Sequence, residues 1–207
     1  MAKLLHILAA PRADGVSRTR KVAAAFFDAY RQAQPNATID TLDLFATALP
    51  EMDALGVEAK LKHQAAEELQ GAVAQRWAEI ERFVQQFLAA DKYVFTAPMW
   101  NFGIPYRLKH YFDVIVQAGL TFRFVSGGVE GLAAGRPAAL LTSRGADYRP
   151  GSPFAPFNQQ EPYLKAILGF LGITDFRVAA FEGTDSHGAE ERLALAVEQA
   201  RALARSF

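Results

Sequence analysis

The chain has 207 residues, of which 51% are hydrophobic and 21% charged, an ordinary balance for one globular domain spanning residues 1–207. Lysine plus arginine and aspartate plus glutamate number 22 each, so the net charge is zero, which argues against a nucleic-acid partner and against a strongly acidic electron carrier. The absence of cysteine excludes disulfides, thiolate metal sites and a cysteine nucleophile, and no apolar run approaches the roughly 20 residues that span a bilayer; we expect a cytoplasmic protein with no metal and no membrane partner.

The first predicted strand is Lys3 to Ala10, a nearly continuous apolar run interrupted only by His6. Such a run indicates a strand that is buried on both faces, as strands of parallel sheets are. We expect His6 to be a core histidine with satisfied hydrogen bonds rather than a ligand. Ser17 is a natural N-cap for the helix that follows, which should extend to about Gln34.

The junction between this strand and this helix has the chemistry of a phosphate site. A helix N-terminus offers unpaired N–H groups and the positive end of its dipole. The hydroxyls of Ser17 and Thr19 add donors, and Arg12 and Arg18 add positive charge. Because Gly15 is the loop's single glycine, neither the GxGxxG nor the Walker pattern is present, and a monophosphate fits better than a dinucleotide or a triphosphate. A capped surface helix with solvated basic residues is the alternative.

The next stretch predicts a second strand, a long helical region and a third strand. Thr38 to Leu44 alternates imperfectly between apolar and polar residues, as a strand does. From Val57 to Ala90 the composition is helical; its first part is polar and rich in alanine, and we expect His63 there to be solvated. Lys92 to Ala97 is the apolar run of the third strand.

The loop between Pro98 and Pro105 carries residues suited to a planar ring. The two prolines fix φ and remove two backbone donors, so the loop should be stiff. Gly103 would allow a backbone conformation that other residues avoid, or a close approach to a flat ligand. Between them lie a thioether, an indole, one amide and a phenyl, in Met99-Trp100-Asn101-Phe102. A flavin is our hypothesis from this composition; an aromatic loop that merely packs is the alternative.

The rest of the chain alternates helices and strands. Residues 93–124 hold nine of the 24 aromatic residues, a density that suggests a binding surface or a subunit interface. Gly119 to Gly131 reads as a long connection. Ser143 to Tyr148 follows a strand and could donate to the edge of a bound ring, an ordinary turn being the alternative, and His187 is a weaker candidate for substrate contact. The elements are helix Tyr106 to Gln117, strand Arg136 to Thr142, helix Tyr163 to Leu171, strand Thr174 to Phe181 and helix Glu190 to Arg205.

This alternation predicts an α/β protein with a doubly wound, five-stranded parallel sheet and helices on both faces. The phosphate loop follows the first strand and the aromatic loop follows the third. In the flavodoxin-like strand order 2-1-3-4-5, these two strand ends meet at one switch point, where such folds bind their ligands. Two independent features of the sequence therefore indicate one crevice.

The chain resembles the bacterial FMN-dependent NADH:quinone oxidoreductases, which are also called FMN-dependent azoreductases. The similarity covers nearly the whole length and is weakest from about Ala46 to Arg76. It rests on five segments: Ala10-Pro11-Arg12 through Ser17-Arg18-Thr19, Pro98-Met99-Trp100-Asn101-Phe102, Gly119-Leu120-Thr121-Phe122-Arg123-Phe124, Thr142-Ser143-Arg144-Gly145 and Leu168-Gly169-Phe170-Leu171-Gly172-Ile173.

The resemblance implies an enzyme that passes two electrons from NADH or NADPH through bound FMN to quinones, with azo compounds as artificial acceptors and no protein acid or base. It also implies a homodimer with its active sites at the subunit interface. Asn101 would lie near the reactive edge of the flavin. The implied contacts are Ser17, Arg18 and Thr19 with the phosphate; Met99, Trp100, Asn101 and Phe102 with the ring; Ser143, Arg144, Gly145 and Ala146 with the other ring edge; and Phe124 and Phe170 with the substrate.

Four departures from the family pattern affect acceptor preference more than flavin binding. Ala10 replaces a frequent serine, Trp100 a frequent tyrosine and Ala146 a common glycine, and Phe124 stands where tyrosine also occurs. No motif that reads the ribose is visible, so the sequence does not choose between NADH and NADPH. A flavodoxin-type electron carrier, which the zero net charge disfavours, and a flavin-free regulatory module are the competing hypotheses.

Overall fold

The computed structural model describes residues 1–207, as five parallel strands in one sheet, a separate two-stranded hairpin and six α-helices. No helix combines the length and the apolar composition needed to cross a lipid bilayer. In chain order the elements are β1 (Lys3–Leu8), α1 (Arg18–Ala33), β2 (Thr38–Asp43), α2 (Ala54–Gln64), α3 (Gly71–Leu88), β3 (Lys92–Thr96), α4 (Tyr106–Ile115), β4 (Phe122–Val125), β5 (Gly128–Gly131), β6 (Ala138–Ser143), α5 (Gln160–Phe170), β7 (Phe176–Phe181) and α6 (Ala189–Arg205).

The sheet has the order β2-β1-β3-β6-β7, and every neighbouring pair is parallel. Because the hairpin β4–β5 lies outside the sheet, this is the predicted order 2-1-3-4-5, which is confirmed. Leu8 lies opposite Thr96 in the register of β1 and β3, and Ser143 lies opposite Phe181 in that of β6 and β7. The carboxyl ends of these four strands therefore meet at one edge of the sheet.

Alternate residues of the central strands belong to two different cores, as the period of two in a strand requires. Val94 and Leu141 pack in a cluster with buried residues of α1 and α6. Ile7, Phe95 and Leu140 pack in a larger cluster with buried residues of α3, α4 and α5. Burial on both sides explains why these strands are nearly continuous apolar runs in the sequence.

His6 is a satisfied core histidine, as predicted. Its Nδ1 lies 3.2 Å from the Thr41 hydroxyl and its Nε2 lies 2.9 Å from the Thr96 hydroxyl. Burial, with smaller contributions from the charges of Arg20 and Arg31, lowers the pKa of His6 to about 3. The imidazole is therefore neutral in the folded protein at physiological pH.

Two expectations about the connecting segments are wrong. Gly119 to Gly131 contains the antiparallel hairpin β4–β5 rather than a plain connection. The hairpin packs so closely on the end of α5 that a Cβ on Gly131 would lie 2.0 Å from the carbonyl carbon of Leu171. His63 is half-buried rather than freely solvated, because its ring stacks on Trp77 with centroids 4.2 Å apart. The region from Val57 to Ala90 is helical as predicted, in two helices, α2 and α3.

Candidate functional site

The carboxyl ends of β1, β3, β6 and β7 enclose a crevice of about 300 Å³. Both segments that the sequence singled out lie in it, the start of α1 and the loop after β3. The predicted residues that line it are Ser17, Arg18, Thr19, Met99, Trp100, Ser143 and Gly145, and residues on which no prediction was made include Pro11, Thr184 and Asp185. The expectation that these two distant segments meet at one crevice is confirmed.

The start of α1 offers free hydrogen-bond donors to this crevice. Ser17 is the N-cap, with its hydroxyl accepting from the N–H of Arg20 at 3.2 Å. The backbone N–H groups of Arg18 and Thr19 donate to no protein acceptor. The Thr19 hydroxyl is buried and lies 2.7 Å from that of Ser143. These donors, at the positive end of a helix dipole, suit an anion.

An ion pair between Arg18 and Asp185 closes one side of the crevice, with 2.6 Å between Nη1 and Oδ1. The hydrogen bond from Arg18 lowers the pKa of the Asp185 carboxyl. In the loop after β7 the sequence singles out only His187. That imidazole is exposed and lies outside the lining of the crevice, whereas Thr184 and Asp185 from the same loop are part of it.

The loop after β3 ends in a tight reverse turn. The N–H of Trp100 donates to the carbonyl of Gly103 at 3.1 Å, and the N–H of Gly103 donates back at 2.9 Å. Asn101 and Phe102 between them have φ values of 47° and 70°, as the two central residues of a type I′ turn do. Left-handed φ is unusual for a phenylalanine and costs roughly 1–2 kcal/mol. Of the two alternatives given for Gly103, the unusual conformation is therefore wrong, since its φ is not positive. The close approach to a flat ligand stays a prediction.

Aromatic side chains flank this turn on both sides. Trp100 packs against Phe45 and Tyr106, with ring centroids 5.9 and 6.4 Å apart. Phe102 packs against Phe157, with centroids 5.3 Å apart. Asn101 and Phe102 are exposed at the tip of the turn and do not line the crevice of the single chain. The N–H groups of both residues have no protein acceptor.

The loop after β6 contributes backbone donors, while the Arg144 side chain points elsewhere. The N–H groups of Gly145 and Ala146 donate to no protein acceptor. The side chain of Arg144 is 1% exposed and pairs with Glu182 at 2.7 Å and Glu161 at 2.6 Å. Because these two carboxylates hold the guanidinium in the interior, the predicted contact of Arg144 with a ring edge would have to come from its backbone.

Phe124 and Phe170 lie away from the crevice. Phe124 is on the hairpin strand β4 and is 75% exposed, and Phe170 is the last residue of α5 and is 38% exposed. The helix α5 starts beside the loop after β3 and rises about 1.5 Å per residue, so Phe170 lies roughly 15 Å along the helix axis from that end. Phe122, at centroid distances of 5.6 and 4.6 Å, joins the two rings into one surface.

Comparison with known proteins identifies the family. A family model for the flavodoxin-like fold matches residues 2–204. The chain is 42% identical to an FMN-dependent NADH:quinone oxidoreductase of Nitratidesulfovibrio vulgaris, over 100% of both chains. This chain belongs to the FMN-dependent NADH:quinone oxidoreductase family. Another FMN-dependent NADH:quinone oxidoreductase, from Desulfotalea psychrophila, is 40% identical and is covered over 98% of its length.

Solved structures agree with this membership of the FMN-dependent NADH:quinone oxidoreductases. An azoreductase from Bacillus anthracis superposes with a TM-score of 0.93 at 32% identity, with both chains covered completely. An FMN-dependent NADH-azoreductase from the same species, solved in complex with FMN, superposes with a TM-score of 0.92 at 30% identity over 100% of this chain and 99% of its own. The recognition made from sequence segments is confirmed.

Proposed function

We propose that this chain carries two electrons from NADH or NADPH, through bound FMN, to quinones and, as artificial acceptors, to azo compounds. The relatives named for FMN, NADH and quinone cover the chain from end to end. The observation that carries the proposal is the crevice itself, which brings free donors at the start of α1 together with the Met99–Trp100 wall and the loop after β6. Because an NADH-dependent enzyme works where that nucleotide is kept reduced, we also propose that it acts in the cytoplasm.

The residues of the crevice fit FMN. Two N–H groups without acceptors and the hydroxyls of Ser17 and Thr19 would hold the phosphate. Met99 and Trp100 offer a thioether and an indole to a flat ring, and Asn101 and Phe102 at the tip of the turn would extend this wall. The Ser143 hydroxyl lies beside that of Thr19, at 2.7 Å, and from there the loop after β6 would bring the free N–H groups of Gly145 and Ala146 to a polar ring edge.

FMN, when bound, supplies the chemistry that accepts a hydride and passes two electrons to an acceptor. The chain itself binds, orients and stabilises charge. N–H donors that no protein group uses stand at the crevice before a cofactor binds, and they would need little reorganisation when negative charge develops there. The titratable groups of the lining are Arg12, Arg18 and Asp185, and the last two are paired with each other. We therefore propose no protein acid or base.

Stopped-flow spectroscopy of the FMN-loaded protein tests this function. Mixing with NADH and with NADPH should bleach the flavin absorbance, and mixing the bleached protein with a panel of quinones and azo dyes should restore it. The faster of the two nicotinamides identifies the physiological donor. A protein that binds no FMN, or one whose bound FMN neither nicotinamide bleaches, would contradict the proposal.

We further propose that the enzyme is a homodimer in which Phe124 and Phe170 shape the substrate pocket of the partner chain. Exposed apolar residues on and beside the hairpin support this, since Phe124, Val125 and Val129 are 75%, 43% and 38% exposed. Contiguous apolar surface of this kind marks interfaces. Within one chain these rings lie outside the crevice. In a dimer, the Phe124 and Phe170 rings of one chain would lie at the entrance to the crevice of the other chain.

Subunit complementation tests this arrangement. Phe124→Ala should leave FMN affinity unchanged and lower kcat/KM for quinones, whereas Ser17→Ala with Thr19→Ala should impair FMN binding. A mixed dimer of the two variants contains one intact crevice that faces one intact Phe124, so mixing should restore part of the activity. Activity that does not rise on mixing, or a monomeric mass by ultracentrifugation, would exclude the shared site.

A further inference from the structure

Gln160, the first residue of α5, is a fully buried polar side chain beside the crevice. Its Nε2 donates to the carbonyl oxygens of Ala97 and Pro98 at 3.3 and 3.1 Å. Its Oε1 accepts from the Thr142 hydroxyl at 3.1 Å and from Nε of Arg144 at 3.2 Å. A carboxamide has two donor hydrogens and two acceptor positions, so its hydrogen-bonding capacity is completely used.

The four partners lie in or directly beside the two loops that were proposed to hold the flavin ring, with Thr142 near the end of β6. Ala97 and Pro98 lead directly into Met99, and Thr142 and Arg144 stand on either side of Ser143. The backbone joins the same loops by the Met99 N–H, which donates to the carbonyl of Ser143 at 3.1 Å. Gln160 adds side-chain bonds from a third element, α5, and so fixes both loops against the body of the protein.

The orientation of the amide is determined by its partners. The carbonyl oxygens of Ala97 and Pro98 can only accept, and Nε of Arg144 can only donate. The Arg144 guanidinium is itself held by Glu161 and Glu182, so the accepting end of Gln160 meets a fixed donor. A glutamate here would turn a carboxylate oxygen toward two carbonyl oxygens, and a leucine would leave the carbonyls of the first loop without this donor.

We propose that Gln160 is a positioning residue that sets the spacing of the two flavin-binding loops, residues 97–103 and 142–146. The inference rests on the proposed function. One rigid ring must contact both loops at once, and binding sites need their groups held to within about 0.5 Å. The turn at Trp100–Gly103 is closed by its own hydrogen bonds, so loss of Gln160 leaves each loop folded and alters the distance between them.

The test compares Gln160→Leu and Gln160→Glu with matched changes at the neighbouring Gln159. The Gln159 side chain is exposed, and its Nε2 donates to the carbonyl oxygen of Pro156, which is outside the network. Both Gln160 variants should raise the Kd of FMN about tenfold. This is the change in binding free energy expected when one or two hydrogen bonds that hold the site in place are lost. The midpoint potential of the bound FMN should also move to more negative values, because donors in the second loop lose their alignment. Gln159→Leu and Gln159→Glu should leave both quantities unchanged.

If the Gln160 variants fail to fold, Thr142→Val tests whether the hydrogen bonds of Gln160 affect FMN binding. It removes one donor to Gln160 with almost no change in shape, and we expect the Kd of FMN to rise about threefold. A Gln160 variant that has a lower melting temperature but unchanged FMN affinity and potential is merely structural, and that result overturns the inference, as does an unchanged Kd in Thr142→Val. Wild-type protein that binds no FMN would instead overturn the proposed function, and this inference with it.

Discussion

The phosphate site at the start of α1 gives the most direct test of the cofactor assignment, through the double substitution Ser17→Ala with Thr19→Ala. Both hydroxyls line the crevice. A hydrogen bond to a charged group contributes about 1.5–3 kcal/mol, so two of them account for about 3–6 kcal/mol, or roughly 10²–10⁴ in Kd. Because the N–H groups of Arg18 and Thr19 remain in place, we expect the lower limit, about a hundredfold weaker FMN binding.

The same substitution removes the N-cap of α1, which costs about 1 kcal/mol of folding stability. For a chain of 207 residues this corresponds to a melting temperature about 2–4 °C lower. Affinity and stability are therefore measured separately, by fluorescence quenching of the flavin on titration with apoprotein and by thermal unfolding of the apoprotein.

Riboflavin, which lacks the phosphate, provides the control ligand. Its affinity should change much less than that of FMN between wild type and the double variant, since the lost hydroxyls are assigned to the phosphate and Thr19 reaches the proposed ring contacts only through its hydrogen bond with Ser143. Ser206→Ala, at the far end of α6, where the hydroxyl donates to Leu203, should alter neither affinity. If riboflavin and FMN lose affinity equally, or if FMN binding does not change, the phosphate does not lie at this helix.

Three further predictions concern the turn, the buried histidine and the core. Asn101→Ala should slow the half-reactions by about tenfold while changing the Kd of FMN less than threefold. Asn101→Gly is the control, because glycine tolerates the left-handed φ and so separates loss of the amide from backbone strain. Unchanged stopped-flow rates would contradict the role assigned to the amide. The pKa of His6 is about 3 in the folded protein and 6.5 as its ordinary value, so below pH 7 the unfolded chain takes up a proton that the folded chain does not. The free energy of unfolding should therefore decrease by about 2 kcal/mol as the pH is lowered from 7 to 5. Urea titrations of His6→Asn should lack this part of the pH dependence. Phe95→Ala, at a fully buried position, should reduce the free energy of unfolding by about 3–5 kcal/mol, and a loss under about 1 kcal/mol would mean that the core closes around the cavity.

The order of the elements and the place of the crevice were predictable because local patterns determine them. Runs such as Lys3–Leu8 and Lys92–Thr96 are apolar on both faces, and short connections with right-handed crossovers leave few sheet orders. Ser17 before a helix that follows a strand gives the phosphate site in the same local way. Such signals need no knowledge of distant parts of the chain.

The features that sequence reasoning missed depend on long-range contacts. The burial of the Arg144 side chain could not be predicted, because its carboxylate partners, Glu161 and Glu182, lie 17 and 38 residues away in the chain. Gln160 looks like one polar residue among several until the fold places two loops around it. The hairpin β4–β5 carries glycines and an exposed phenylalanine, Phe124, which suit a loop equally well, and its close packing against the end of α5 is a long-range contact.

The reverse turn at Trp100–Gly103 affects how readily the apoprotein binds its cofactor. Since two reciprocal backbone bonds close it without any help from a ligand, its shape costs no ordering entropy when a cofactor arrives. Removal of the flavin should therefore leave an apoenzyme whose turn is already in its binding conformation. We expect the apoenzyme to bind FMN to full occupancy on incubation, without a refolding step.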